Sequence, residues 1–157
     1  MNKHHVSQIS EIITIPKIVD EGYLCFAESN KHIPFPIKRF YFIYSVDEGV
    51  TRGKHAHKKT VQVLFCIKGK IKIILDNGSI REKVVLSDPK QGILLDKMMW
   101  HEMVEFDKDT VLLVIASDYY KPNDYIRDYD AFVKMVKKTR PVSRESLDYQ
   151  IVGSARR

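Results

Sequence analysis

The chain has 157 residues, 44% of them hydrophobic, and a formal charge of +6, a length that supports one sizeable core and not two ordinary domains. Seven of its 26 Lys and Arg lie from Lys134 onward, opposed there only by Glu145 and Asp148, so the body before them is nearly neutral. With no basic stripe interleaved with aromatics and no long apolar run, neither nucleic acid nor a membrane is an expected partner. Residues 1–10 are polar and lack the charged start and apolar run of a secretory signal. Cys25 and Cys66 sit in apolar, strand-like stretches without metal or disulfide spacing, so reduced thiols in a cytoplasmic protein are expected.

In chain order, the first apolar runs are residues 23–27 and 37–46, followed by the turn signal Asp47-Glu48-Gly49. Residues 61–67 and 71–75 flank Lys68-Gly69, and Asp76-Asn77-Gly78 leads to 84–86. After Asp88-Pro89 come 93–95, 103–106 and 111–117. Short runs at this spacing predict an all-β, antiparallel sandwich or barrel with mostly hairpin connections. The period then changes. Tyr129, Phe132, Val133 and Val136 fall at i, i+3, i+4 and i+7, with Lys134, Lys137 and Lys138 opposite; this predicts one C-terminal α-helix with an apolar stripe on the barrel. The expected organisation is a single domain, barrel plus helix over about residues 20–138, with a tail from 141 to 157.

The stretch that carries chemistry is Arg52-Gly53-Lys54-His55-Ala56-His57, followed by Gln62 and Gly69. Residues two apart on a strand share a face, so His55 and His57 present two imidazoles side by side, and Gln62 returns on the next strand. His101 follows Trp100 near a later strand. His4, His5 and His32 read as scattered polar residues. Two inward imidazoles among Val, Ile and Leu are costly without a partner or a task.

The spacing resembles the first motif of the cupin superfamily, which implies a jelly-roll β-barrel. In that motif an acidic metal ligand stands where this chain has Gln62, a much poorer ligand for a transition metal. No metal is therefore expected, and a three-imidazole site of His55, His57 and His101 is the alternative. Over roughly residues 20–138 the chain more closely resembles the dTDP-4-keto-6-deoxyglucose 3,4-ketoisomerases. The carriers are Ile33-Pro34-Phe35, Ile37-Lys38-Arg39-Phe40-Tyr41, Arg52-Gly53-Lys54-His55-Ala56-His57-Lys58-Lys59 and Gln62-Val63-Leu64. Trp100-His101-Glu102-Met103, Ala116-Ser117-Asp118-Tyr119-Tyr120 and the run from Asp124 to Asp130 complete the set. Where the family commonly has paired tyrosines, this chain has Tyr41-Phe42. The resemblance implies a homodimer without cofactor that moves a carbonyl from C4 to C3 of a dTDP-linked 4-keto-6-deoxy sugar.

That shift requires a proton to leave C3, an enediol to form, and a proton to return to C4. Histidine, with an ordinary pKa of about 6.5, suits both transfers near neutral pH. His55 is assigned the shuttle; His57 orients it or polarises a sugar oxygen; Tyr41 meets the oxygen that gains and loses charge. Arg39 and Arg52 are the candidates for the diphosphate. Trp100 and His101 are candidates to line the pocket, and Gln62 to bond the sugar or orient a histidine. Tyr119, Tyr120, Tyr125 and Tyr129 read as packing between helix and barrel. The alternatives are a sugar-nucleotide epimerase of cupin fold and a non-catalytic module that holds a sugar or a metal.

Overall fold

The computed structural model describes residues 9–139; the tail at 141–157, His4 and His5 lie outside them. The strands are β1 (Glu11–Thr14), β2 (Lys17–Val19), β3 (Tyr23–Cys25), β4 (Arg39–Ile43), β5 (Arg52–His57) and β6 (Gln62–Lys68). They continue with β7 (Ile71–Asp76), β8 (Arg81–Leu86), β9 (Gln91–Leu95), β10 (Trp100–Val104), β11 (Val111–Ala116) and β12 (Tyr125–Ile126). One helix, α1 (Tyr129–Thr139), follows.

Two five-stranded antiparallel sheets result, ordered β1-β9-β6-β11-β4 and β12-β5-β10-β7-β8, with β2-β3 as a separate hairpin. The barrel expected from sequence takes the two-sheet jelly-roll form, its sheets not joined by hydrogen bonds into a closed ring. The expectation of mostly hairpins is corrected: from β4 to β12 the chain changes sheet at every connection except β7 to β8. A turn residue reverses the chain, but it does not specify which sheet receives the next strand. The β7–β8 hairpin forms as its sequence dictates. Gly78 takes φ +85, its N–H donates to Asp76 Oδ1 at 2.7 Å, and Asn77 Oδ1 accepts from Ser79 and Ile80.

Side-chain alternation builds three apolar layers. Leu64, Cys66, Ile73, Leu75, Met103, Leu112 and Val114 fill the space between the sheets. Val63, Phe65 and Ile115 point out of the first sheet and are covered by Ile15, Ile33 and Phe35. This is why β6 is buried on both faces over five consecutive residues. Behind the second sheet, Ala56, Trp100 and Ile126 meet Phe132 and Val136 of α1. Asp128 caps that helix, its Oδ1 accepting from Ala131 N–H at 2.7 Å, which satisfies one of the donors a helix start leaves unpaired. Burying a ring such as Phe132 contributes about 1.5–3 kcal/mol, so the predicted stripe does dock α1 where it was expected. No helix of the described residues is long and apolar enough to cross a membrane.

Candidate active site

Both sheets turn polar side chains into the sandwich at one end. From the second sheet come His55 and His57 of β5 and His101 of β10, which pairs directly with His55. From the first come Arg39 and Tyr41 of β4 and Gln62 of β6. The three imidazoles cluster: ring centroids are 5.0 Å apart for His55 and His57, 4.4 Å for His55 and His101, and 6.2 Å for His57 and His101. His57, His101 and Gln62 are buried, and His55 is half-buried.

Partners fix the tautomers. His55 Nδ1 is 3.0 Å from the Gly53 carbonyl; a carbonyl only accepts, so Nδ1 carries the hydrogen and Nε2 the lone pair. His57 Nδ1 donates to Asp124 Oδ2 at 3.0 Å, again leaving Nε2 as an acceptor. Burial drives the His55 pKa down to about 4 against the bond to Gly53. Burial also lowers His57 despite Asp124, and holds His101 well below the usual histidine range. All three are neutral at pH 7.

The opposite wall is a phenol and an amide. Gln62 Nε2 donates to Tyr41 Oη at 3.0 Å, which leaves the Tyr41 hydroxyl hydrogen free to donate elsewhere. Burial raises the Tyr41 pKa, outweighing Gln62 and the positive charges of Arg39 and Arg52; the phenol is a neutral donor. The Arg39 guanidinium lies 5.4 Å from the Tyr41 ring and 5.7 Å from that of Tyr120. Four buried atoms, Arg39 Nε, His57 Nε2, Gln62 Oε1 and His101 Nδ1, have no partner among the described residues.

The backbone of β5 explains this arrangement. Gly53 and Lys54 take φ +82 and +55, and opposite them the β10 ladder shifts register between His101 and Glu102. A Cβ on Gly53 would lie 2.9 Å from the His101 carbonyl oxygen and 3.3 Å from its ring. This bulge brings the Gly53 carbonyl beneath His55 and lets His101 approach it.

Seven of the eight residues anticipated from sequence are in or beside this cluster: His55, His57, Tyr41, Arg39, Gln62 and His101 within it, and the exposed Arg52 near enough for its charge to act on Tyr41. Trp100 is corrected. It neighbours His101 on β10 and so points the other way, into the layer under α1, with its Nε1–H donating to Glu102 at 3.1 Å.

Two contributors were missed. Asp124 is the carboxylate that holds His57, and Tyr125 pairs with His57 across β12 and β5. The Tyr125 ring lies 4.8 Å from His55 and 4.5 Å from His57, with the Arg127 guanidinium 4.6 Å over it. Tyr129 does pack as expected, on Trp100 and Phe132. The donor set fits a metal poorly: Gln62, a neutral amide at the acidic ligand's place in the cupin motif, is turned to Tyr41, and no three His, Cys, Asp or Glu among the described residues converge as ligands.

Neutral burial of three histidines links stability to pH. Each has a folded pKa below the unfolded 6.5, so protons bind the unfolded chain preferentially. The stabilisation is complete above about pH 6.5 and is lost as pH falls toward the His55 value of about 4. Melting curves should therefore be flat between about pH 7 and 8 and drop steadily below about pH 6.5. A His55→Gln variant should show a shallower drop; equal slopes would mean that His55 is not held neutral by the fold.

An antiparallel jelly roll with a His-x-His strand facing a tyrosine and an amide across its interior defines a cupin-type protein. The family described as FdtA, WxcM-like, C-terminal matches residues 8–137, and the chain belongs to it. A curated relative, the TDP-4-oxo-6-deoxy-alpha-D-glucose-3,4-oxoisomerase of Aneurinibacillus thermoaerophilus, is 45% identical over 130 residues, 82% of this chain and 94% of that one. The crystal structure of a 3,4-ketoisomerase from Helicobacter canadensis superimposes with TM-score 0.80 at 41% identity, covering 83% of this chain and 99% of that one. The QdtA 3,4-ketoisomerase of Thermoanaerobacterium thermosaccharolyticum, a histidine-to-asparagine variant in complex with TDP-4-keto-6-deoxyglucose, gives TM-score 0.82 at 40% identity. That match covers 85% of this chain and 98% of that one.

Proposed function

We infer that this chain is a TDP-sugar 3,4-ketoisomerase acting on a TDP-linked 4-keto-6-deoxy sugar, moving the carbonyl from C4 to C3. The observation that carries the reading is His55: a neutral imidazole whose Nδ1–H is tied to the Gly53 carbonyl, so that its Nε2 lone pair serves as base. His55 takes the proton from C3, the C4 oxygen gains charge opposite the Tyr41 hydroxyl, and His55, whose half-buried ring exchanges that proton with solvent, delivers one to C4. Tyr41 acts as a preorganised donor to that oxygen, in a buried setting where such a bond is strengthened. His57 and His101 polarise the sugar oxygens, with Gln62 orienting Tyr41. Arg39 and Arg52 meet the diphosphate from the Tyr41 side. The chemistry is acid and base catalysis through an enediol, run by side chains without a metal.

Proton NMR of TDP-4-keto-6-deoxyglucose with the protein in deuterated water tests this. Appearance of the 3-keto sugar with deuterium at C4, unchanged by a strong chelator, is the expected result. Exchange without carbonyl migration would mean an epimerase instead, and neither exchange nor product would overturn the enzyme reading.

The enzyme works as a homodimer in the cytoplasm. Cys25 and Cys66 are free thiols, which suits a reducing compartment. β4 is an edge strand with Phe40 and Phe42 64% and 55% exposed on its outer face; open edges and apolar patches are characteristic of subunit contacts. Sedimentation should give the mass of two 18.3 kDa chains, and Phe40→Asp with Phe42→Asp should yield monomer. A wild-type monomer at micromolar concentration would overturn the assembly.

A further inference from the structure

The candidate active site is backed, on the other face of the same sheet, by the layer under α1. Ala56 lies between His55 and His57 on β5, Trp100 precedes His101 on β10, and Ile126 follows Tyr125 on β12. Strand alternation sends each site residue and its neighbour to opposite faces, and Ala56, Trp100 and Ile126 accordingly meet Phe132 and Val136 of α1. The placement of α1 therefore bears on the placement of the site. β12 depends on it most, being an edge strand of two residues joined to α1 through Arg127 and Asp128 alone.

A polar group fastens the start of α1 to that sheet. Trp100, Asp76 and Arg81 stand side by side across β10, β7 and β8. Asp76 is 4% exposed. Its Oδ1 accepts from Gly78 N–H, and its Oδ2 accepts from the Tyr129 hydroxyl at 2.8 Å and lies 3.4 Å from Arg81 Nη1. Arg81 Nη2 donates at 3.0 Å to Glu102 Oε1, which also accepts from Trp100 Nε1 at 3.1 Å. The Trp100 ring lies 5.2 Å from that of Tyr129 and 5.7 Å from that of Phe132. The bond to Asp76 raises the Tyr129 pKa, so the phenol is a neutral donor. Among the described residues, Asp76 Oδ2 without that hydroxyl keeps only the long contact to Arg81, and a buried carboxylate short of donors is costly.

We propose that the Tyr129 hydroxyl, held by Asp76, is a clasp that keeps α1 and β12 seated on the second sheet and so sets Tyr125 against His55 and His57. Tyr129 is then a positioning residue for the reaction. It touches neither histidine, and acts through Arg127 and Asp128 on β12 and through the Trp100 layer on β5 and β10. Tyr125, whose ring lies 4.8 Å from His55 and 4.5 Å from His57, is the group that it places. The effect on turnover rests on the ketoisomerase reading; the seating of β12 does not.

Tyr129→Phe tests it, because the ring stays packed on Trp100 and Phe132 while the hydroxyl is removed. Amide hydrogen exchange should quicken about tenfold in β12 and at Lys58, whose N–H donates to the Asp124 carbonyl. Amides of β6, in the middle of the first sheet, should change less than about twofold. Trp100 is the single tryptophan of the chain, so a shift of its fluorescence to longer wavelength reports the loosened layer directly. Turnover should fall about tenfold with KM changed less than about threefold, as follows when a group beside the reacting atoms is misplaced. Asp76→Ala should act in the same direction, and adding Tyr129→Phe to it should cost no more, because the hydroxyl acts through Asp76. A clasp that only stabilised the fold would lower the melting temperature and leave kcat unchanged well below it. Wild-type kcat in Tyr129→Phe, exchange rising no more in β12 than in β6, or additive losses in the double variant overturns the proposal. A wild-type protein that does not isomerise the sugar overturns the ketoisomerase reading instead, and the exchange and fluorescence of Tyr129→Phe then decide the clasp.

Discussion

His55→Asn should lose turnover by roughly 10² to 10⁴ while its melting temperature at neutral pH stays within a few degrees of wild type. The ring is half-buried, and asparagine retains an N–H that reaches for the Gly53 carbonyl, so the bulge of β5 persists. What disappears is the Nε2 lone pair, and with it the only group assigned to the proton on carbon. Substrate should still bind, because Arg39, Arg52, Tyr41 and Gln62 are untouched. In deuterated water, exchange at C3 should vanish together with product. Turnover within tenfold of wild type would remove His55 from the carbon-proton role.

Gly53→Ala is expected to damage both stability and chemistry. The residue sits at φ +82, and its new Cβ would meet the His101 carbonyl oxygen at 2.9 Å. That oxygen belongs to the β10 backbone, which is laddered to β7 on its other side, so it cannot yield cheaply. Left-handed strain and the overpacked contact together should cost about 2–5 kcal/mol. Gly49→Ala is the control: φ is +78 there, yet nothing lies within 4 Å of its Cβ position, so only about 1–2 kcal/mol of backbone strain applies. Urea denaturation of the two variants should separate the two terms. Activity should fall in Gly53→Ala alone, because relief of the clash moves the carbonyl beneath His55. Equal losses in both would mean that the contact with His101 does not matter.

Much of this architecture is legible in short-range pattern, because strand alternation and turn chemistry are local. The runs at 37–46, 61–67, 71–75 and 111–117 each coincide with a strand to within a few residues, and the period of Tyr129, Phe132, Val133 and Val136 does mark the docked helix. His55 and His57 were recoverable because two residues of separation already determine a shared face. Trp100 was misplaced for the same reason in reverse: the strand begins three residues before the apolar run at 103–106, and alternation then sends the indole away from His101. Asp124 opened a run that carried the family resemblance, but nothing local marked it as the partner of His57. It follows a proline and an asparagine in a single 3₁₀ turn, Pro122–Asp124, and its partner is 67 residues distant. Tyr125 sat among four tyrosines expected to pack the helix, of which Tyr129 alone does; Tyr119 and Tyr120 are exposed, and Tyr125 is distinguished by its pairing with His57. The sheet changes were equally hidden, since they depend on which strands meet across the sandwich.

Those sheet changes bear on how the protein comes into being. β1 finds β9, β5 finds β12, and the bond from Ile9 to Glu82 spans 73 residues, so long loops must close before either sheet is complete. Chains dominated by such non-local pairing fold on the order of milliseconds to seconds. His57 and Asp124 meet only when β12, the last strand of the described residues, docks on β5. A folding chain therefore carries a disarmed histidine pair until that long loop closes, and recovery of activity after refolding becomes a reporter for the closure.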